Sequence, residues 1–240
     1  MPLRIGFDMD GVLADFSTAF HEVESRLFGA GVTLSEGQPE QEEEAQQHAD
    51  EAEVGPNTDS PKPPRQSPRD ARRRRDLIWR TIQATPNFWQ TLKPIDPAAV
   101  PRIYELMCRH KWEVFFITQR PNTDGDTVQR QTQQWLVEQG FDLPSVLVLG
   151  GSRGAAAGAL RLTYHVDDSA QNCLDVISES RAKPILIVPR GDDATSASAR
   201  KLGIGTAQSI SGCLDVLEKA TIARTQPDLL ARIASIVGWK

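Results

Sequence analysis

The chain has 240 residues, 27 Lys and Arg against 32 Asp and Glu, and a formal charge of −5. That length allows one sizeable α/β domain with an accessory piece. The composition excludes collagen-like, disulfide-scaffold and membrane-spanning classes, and the acidic balance speaks against a dedicated nucleic-acid coat, whose phosphate contacts leave a basic footprint.

The first expected element is a strand over Leu3–Phe7, which delivers Asp8-Met9-Asp10-Gly11-Val12-Leu13. Two carboxylates at the end of a buried strand are costly unless a cation or protons balance them. Their i, i+2 spacing lets both address one ligand, and Gly11 lets the backbone turn sharply beyond them. After Asp15, the residues Phe16, Phe20, Val23 and Leu27 recur at helical spacing. Composition then changes: 36–59 is acidic and Gln-rich, and from Pro61 the chain is Pro-rich and basic, ending in Arg72 to Arg75. With so few large apolar side chains, 36–75 cannot offset the entropy of ordering and is expected to be a disordered or loop insertion. Leu77, Ile78 and Ile82, with Trp79 beside them, form a second helical pattern. The expected organisation is a helical cap over 17–89, interrupted by the insertion, and a core of 1–16 and 90–240.

Beyond Phe88 apolar strands alternate with helices. Strands are expected at Glu113–Thr118, Val146–Leu149, Thr163–Val166 and Ile185–Val188. Helices are expected at Pro97–His110, at Asp126–Gln139, closed by Gly140, and at Ala220–Trp239. This order makes the fold class α/β: a Rossmann-like, mostly parallel sheet with helices on both faces. Ligands of such sheets sit outside the carboxyl ends of the strands. The second strand delivers Thr118-Gln119-Arg120-Pro121, a hydroxyl, backbone amides and a guanidinium suited to phosphate oxygens. A later one delivers Asp167-Asp168-Ser169, which reads either as hard oxygen ligands for Mg²⁺ or as a helix N-cap. Cys108, Cys173 and Cys213 lie in apolar segments without metal-type pairing. They suggest a reducing compartment, and the charged N-terminus carries no secretory core. The expectation is a cytoplasmic protein with no membrane partner.

The order Asp8-x-Asp10-Gly11-Val12, strand-Thr118, a basic residue, then strand-Asp167-Asp168 resembles the haloacid-dehalogenase superfamily of phosphohydrolases. Within it, Phe7–Phe16 and Asn87–Ile95 are similar to the 5′(3′)-deoxyribonucleotidases. The resemblance spans the core and both flanks of the cap, does not cover 35–75, and weakens after Val188. It implies Asp8 as nucleophile and Asp10 as general acid and base. It also implies Mg²⁺ held by the Asp8 carboxylate, the Asp10 carbonyl and one carboxylate of the Asp167–Asp168 pair. Asp168 is taken as the direct ligand and Asp167 as the partner behind it, though either fits the pattern. Thr118 and Gln119 would bind phosphate. The superfamily's lysine has no counterpart between Lys111 and Lys183; Arg153 is the first substitute and Arg161 the second. Phe16, Phe88 and Trp89 flank the junction of core and cap, where aromatic rings stack on a nucleobase or simply pack. The substrate class implied is a small phosphomonoester, foremost a nucleoside monophosphate, with no stable nucleic-acid partner. A sugar-phosphate or polynucleotide-end phosphatase, or a non-catalytic phosphate sensor, are the alternatives.

Overall fold

The structure, a computed structural model, describes residues 2–29, 68–224 and 237. Six parallel strands form one sheet: β1 (Arg4–Asp8), β2 (Glu113–Thr118), β3 (Val146–Val148), β4 (Tyr164–Asp167), β5 (Lys183–Ile187) and β6 (Gly205–Ala207), in the order β3-β2-β1-β4-β5-β6. The inner strands are buried almost throughout, as a sheet covered on both faces requires. The chain steps outward from β1 to β2 and β3, then crosses back to lay β4 on the other side of β1. That reversal is the switch point at which such sheets open a crevice. Register does the rest. Asp8 is level with Ile117, one residue before Thr118, and Phe7 pairs with Val166, so Asp8 and Asp167 end neighbouring strands at one height.

Eight α-helices are described: α1 (Phe16–Phe28), α2 (Pro68–Gln83), α3 (Ala99–His110), α4 (Val128–Glu138), α5 (Arg153–Ala159), α6 (Ala170–Glu179), α7 (Asp193–Lys201) and α8 (Ile210–Ala223). Their starts follow the sequence locally, since Thr127, Ser152, Ser169, Asp192 and Ser209 each accept a backbone N–H from the first turn of the helix that follows. Helices α3 and α8 are joined by Arg102–Asp215 (2.5 Å), by Arg109–Glu218 (3.0 Å) and, just past the end of α3, by the Trp112 indole donating to Thr221 Oγ1 (2.9 Å). A separate apolar cluster of Ile117, Ala157, Leu162, Val176 and Ala182 seats α5 and α6 on the sheet. Gly154 allows their close approach: a Cβ there would overlap the Asp175 carbonyl of α6.

The chain divides into two compact units, one of 1–16 with 86–240 and the other of 17–85. Phe88 and Trp89 therefore fall within the sheet-bearing unit. In that unit the outgoing and returning segments are tied by Asp15 N–H to Lys93 C=O (2.8 Å) and Ile95 N–H to Leu13 C=O (2.9 Å). In the other, α1 and α2 meet through Phe20 and Trp79, whose ring centroids lie 5.9 Å apart. Helix α2 begins at Pro68, inside the stretch 36–75 expected as loop or disorder. Proline is preorganised for a first helical position, Asp70 suits the positive end of the helix, and arginine is a good helix former. The remainder of that expectation, 36–67, lies outside the described residues, as does the terminal helix beyond Arg224 apart from the buried Val237. All three cysteines are free; Cys173 and Cys213 are buried, while Cys108 is exposed. Among the described residues no helix is long and apolar enough to cross a membrane.

Candidate active site

Adjacent strand ends gather the sequence-derived residues, but they sort them into two corners. In the first, Asp8 at the end of β1 is only 5% exposed, and its Oδ1 accepts from Arg153 Nη2 at 2.5 Å. Arg153 is the first residue of α5, immediately after the Ser152 cap, so the close approach of Gly154 to α6 sets the backbone from which its side chain extends. Its Nε also lies 3.7 Å from Asp167 Oδ2. Arg161, the second substitute considered, is exposed beyond the end of α5 and lines a groove with Glu179 and Arg181 instead.

Asp8, Asp167 and Asp168 each offer a carboxylate oxygen within 4.8 Å of the others. Their surroundings differ. The Asp167 carboxylate is fully buried and accepts from His165 Nε2 (2.9 Å), the Ser169 N–H (2.9 Å) and Asn172 Nδ2 (3.1 and 3.2 Å). Burial pushes its pKa up, but the hydrogen bond and charge of His165, Arg153 and the Ser169 N–H outweigh this, and the net shift is downward. Asp168 is exposed, and its carboxylate lies against Gly11, where a Cβ would overlap it and where the backbone is left-handed (φ 77°). Gly11 thus serves both the turn and the close approach. Burial raises the pKa of Asp8 well above the ordinary carboxylate range, Asp167 raises it further, Arg153 opposes, and Asp10 and Asp168 add to the rise. Three hard oxygen donors, one of them a carboxylate whose ionised form is disfavoured by burial, fit a small divalent cation such as Mg²⁺.

The second corner holds Asp10. Its two carboxylate oxygens accept from Arg120 Nε (2.8 Å) and Nη2 (2.7 Å) in a bidentate pair. Sequence reasoning placed this guanidinium among phosphate ligands and left it out of the site residues; the structure gives it to Asp10. Nothing local could have shown this, because the residues that aim it come from elsewhere. Arg120 Nη1 donates to Thr132 Oγ1 (3.0 Å) on α4, and its guanidinium lies 4.8 Å over the ring of Trp89. Trp89, 1% exposed, donates its indole N–H to the Pro121 carbonyl (3.0 Å) and packs against Phe16 and Phe88. The trio expected to stack on a base is therefore buried within the sheet-bearing unit, and one face of Trp89 carries an arginine.

Some buried polar atoms of the sequence-derived residues have no hydrogen-bond partner. Thr118, 1% exposed at the end of β2, has a buried hydroxyl with no hydrogen bond, and Arg153 Nε and Nη1 are likewise unpaired. Unpaired buried donors are costly and call for an acceptor. Gln119 follows Thr118 and is half-buried. Ser169 caps α6, as the N-cap reading of Asp167-Asp168-Ser169 expects, while its N–H holds Asp167.

No family model matches the sequence, and no curated protein does. Solved structures do. A hydrolase from Pseudomonas syringae has 12% identity and a TM-score of 0.52, with 91% of this chain and 98% of that one covered. A HAD hydrolase of family IA, variant 3, from Entamoeba histolytica HM-1:IMSS has 15% identity, a TM-score of 0.47, and 88% and 94% covered. A 2-haloacid dehalogenase from Pseudomonas syringae pv. Tomato DC3000 has 14% identity, a TM-score of 0.45, and 97% and 99% covered. At such identities the likeness is one of architecture. Taken with the strand order, the likeness to the Pseudomonas syringae hydrolase identifies the fold of this chain as α/β and Rossmann-type, a parallel sheet with helices.

Proposed function

We propose that the protein is a Mg²⁺-dependent phosphomonoester hydrolase that works through an aspartyl-phosphate. The observation that carries this is a set of buried donors without hydrogen bonds at adjacent strand ends: Arg153 Nε and Nη1, on the guanidinium that holds the buried Asp8 carboxylate, and Thr118 Oγ1, one residue past the strand partner of Asp8. A phosphoryl group supplies the acceptors they lack. Asp8 is the nucleophile: Arg153 orients its carboxylate and keeps a donor for a phosphoryl oxygen. Asp10 protonates the leaving alkoxide and then takes a proton from the attacking water. Asp8, Asp168 and the Asp10 carbonyl would hold the cation, with Asp167 behind them, fixed by His165 and Asn172. When bound, Mg²⁺ supplies the positive charge that lets an anionic nucleophile approach an anionic ester. The Asp10 carboxylate, tied to Arg120, is left to proton transfer.

The substrate class is proposed as (deoxy)nucleoside monophosphates. It rests on the similarity of Phe7–Phe16 and Asn87–Ile95 to the deoxyribonucleotidases, not on base stacking, since Trp89 is already occupied. The test is hydrolysis of a panel of deoxynucleotide, ribonucleotide, sugar and DNA-end phosphates with Mg²⁺ and with a chelator. Metal-dependent release of phosphate, fastest from the monophosphates, is expected. Release unaffected by chelation, or none from any ester, would overturn the reading.

A further inference from the structure

Arg120 is built into the protein as firmly as any core residue. Its side chain is 1% exposed, whereas that of the Asp10 it holds is 25% exposed. The guanidinium donates to Thr132, whose own hydroxyl is fixed by donating to the Val128 carbonyl (2.8 Å). It lies over Trp89, which is pinned by its indole bond to Pro121 and by its backbone N–H to Gln131 Oε1 (3.1 Å). A bidentate fork held by Thr132 and Trp89 sets both the position and the plane of a carboxylate that stays partly open to solvent.

We infer that Arg120 is a positioning residue for Asp10, and that its contribution is spent on substrates whose leaving group needs a proton. The inference rests on the function proposed above. In the first half-reaction an Asp8 oxygen forms a bond to phosphorus as the ester P–O bond breaks, and the proton of the Asp10 carboxylic acid passes to the departing oxygen, giving the alcohol and the Asp10 carboxylate. In the second, that carboxylate takes a proton from water as the water oxygen bonds to phosphorus and the bond to Asp8 breaks. An alkoxide is a poor leaving group and depends on the first proton transfer. A nitrophenolate leaves without it. Loosening Asp10 therefore penalises alkyl esters selectively in kcat/KM, which reports events through the first irreversible step.

The experiment compares kcat/KM for glycerol 2-phosphate and p-nitrophenyl phosphate in the full chain with Mg²⁺. Arg120→Ala is expected to lose about 30- to 100-fold on the alkyl ester and less than about 5-fold on the aryl ester, within the range of a general acid. Arg120→Lys, which keeps the charge but not the fork, should fall nearer to Ala than to the unaltered protein. Thr132→Val removes one anchor with little change of shape and should show the same selectivity at about 3- to 5-fold, so the question stays decidable if Arg120→Ala does not fold. Equal losses on both esters, or none on either, overturn the positioning role while leaving the proposed reaction standing. No turnover of either ester by the unaltered protein overturns the reaction, and the positioning role with it.

Discussion

Asp8 and Asp10 stand two residues apart at one strand end, yet they face opposite electrostatic situations. Around Asp8, three carboxylates offer oxygens within 4.8 Å of one another, and one guanidinium, that of Arg153, lies against two of them. Around Asp10, both carboxylate oxygens accept from a single guanidinium, that of Arg120. The same residue type thus stands in a cluster of carboxylates in one case and in a bidentate pair in the other.

The largest effects would break or sharpen this contrast directly. Asp8→Asn should lower turnover of p-nitrophenyl phosphate at least about 1,000-fold, as loss of a nucleophile does, while raising the cation-free melting temperature because burial and the Asp167 carboxylate make an ionised Asp8 costly. Asp10→Asn should also lose most turnover, but its stability should fall, by about 1.5 to 3 kcal/mol, because a buried guanidinium loses a charged hydrogen-bond partner. Stability changes of the same sign in the two variants would erase the distinction between the corners. Gly154→Ala should cost about 1 to 3 kcal/mol by overpacking α5 against α6. It should lower turnover with it, since Arg153 rides on the displaced turn; denaturant unfolding alongside kcat reads both.

The smallest effect is one of pH. Asp8 has its pKa raised by folding, so the native state binds more protons than the unfolded chain between the ordinary value, 3.8, and the raised one. Stability of the cation-free protein should fall as pH rises through that window. Asp167 has its pKa lowered, so its contribution is present above 3.8 and is lost as pH drops below it, on the acidic side of the same point. Melting curves from pH 4 to 8 should show the fall in the unaltered protein, and neither with Mg²⁺ nor in Asp8→Asn. A fall that persists in Asp8→Asn would assign it to another group.

Much of this site was legible in the sequence because the information is local. An apolar run ending in Asp8-x-Asp10-Gly11, and others ending in Thr118 and in Asp167-Asp168, announce strand ends without any knowledge of what lies beside them. The parallel sheet follows from the alternation of strands and helices, and β2 falls where the periodicity put it. The partners of long side chains were not legible. Whether Arg120 reaches a phosphate or Asp10 depends on Trp89 and Thr132, which reach it only through the tertiary fold. The three-residue strand β6 carries too little pattern to stand out. The start of α2 was hidden for another reason, since its arginines satisfy helix propensity while presenting no apolar stripe until Ile78.

The adjacency of β1 and β4 gives the sheet a further use, as a caliper. Neighbouring strands lie about 4.8 Å apart, and the carboxylate oxygens that Asp8, Asp167 and Asp168 offer fall within 4.8 Å of one another. The lateral repeat of the backbone therefore sets the bite of the carboxylates before any side chain chooses a rotamer. A single strand interposed between these two would open the gap to about 9.6 Å, and no choice of acidic residues at the tips could span it.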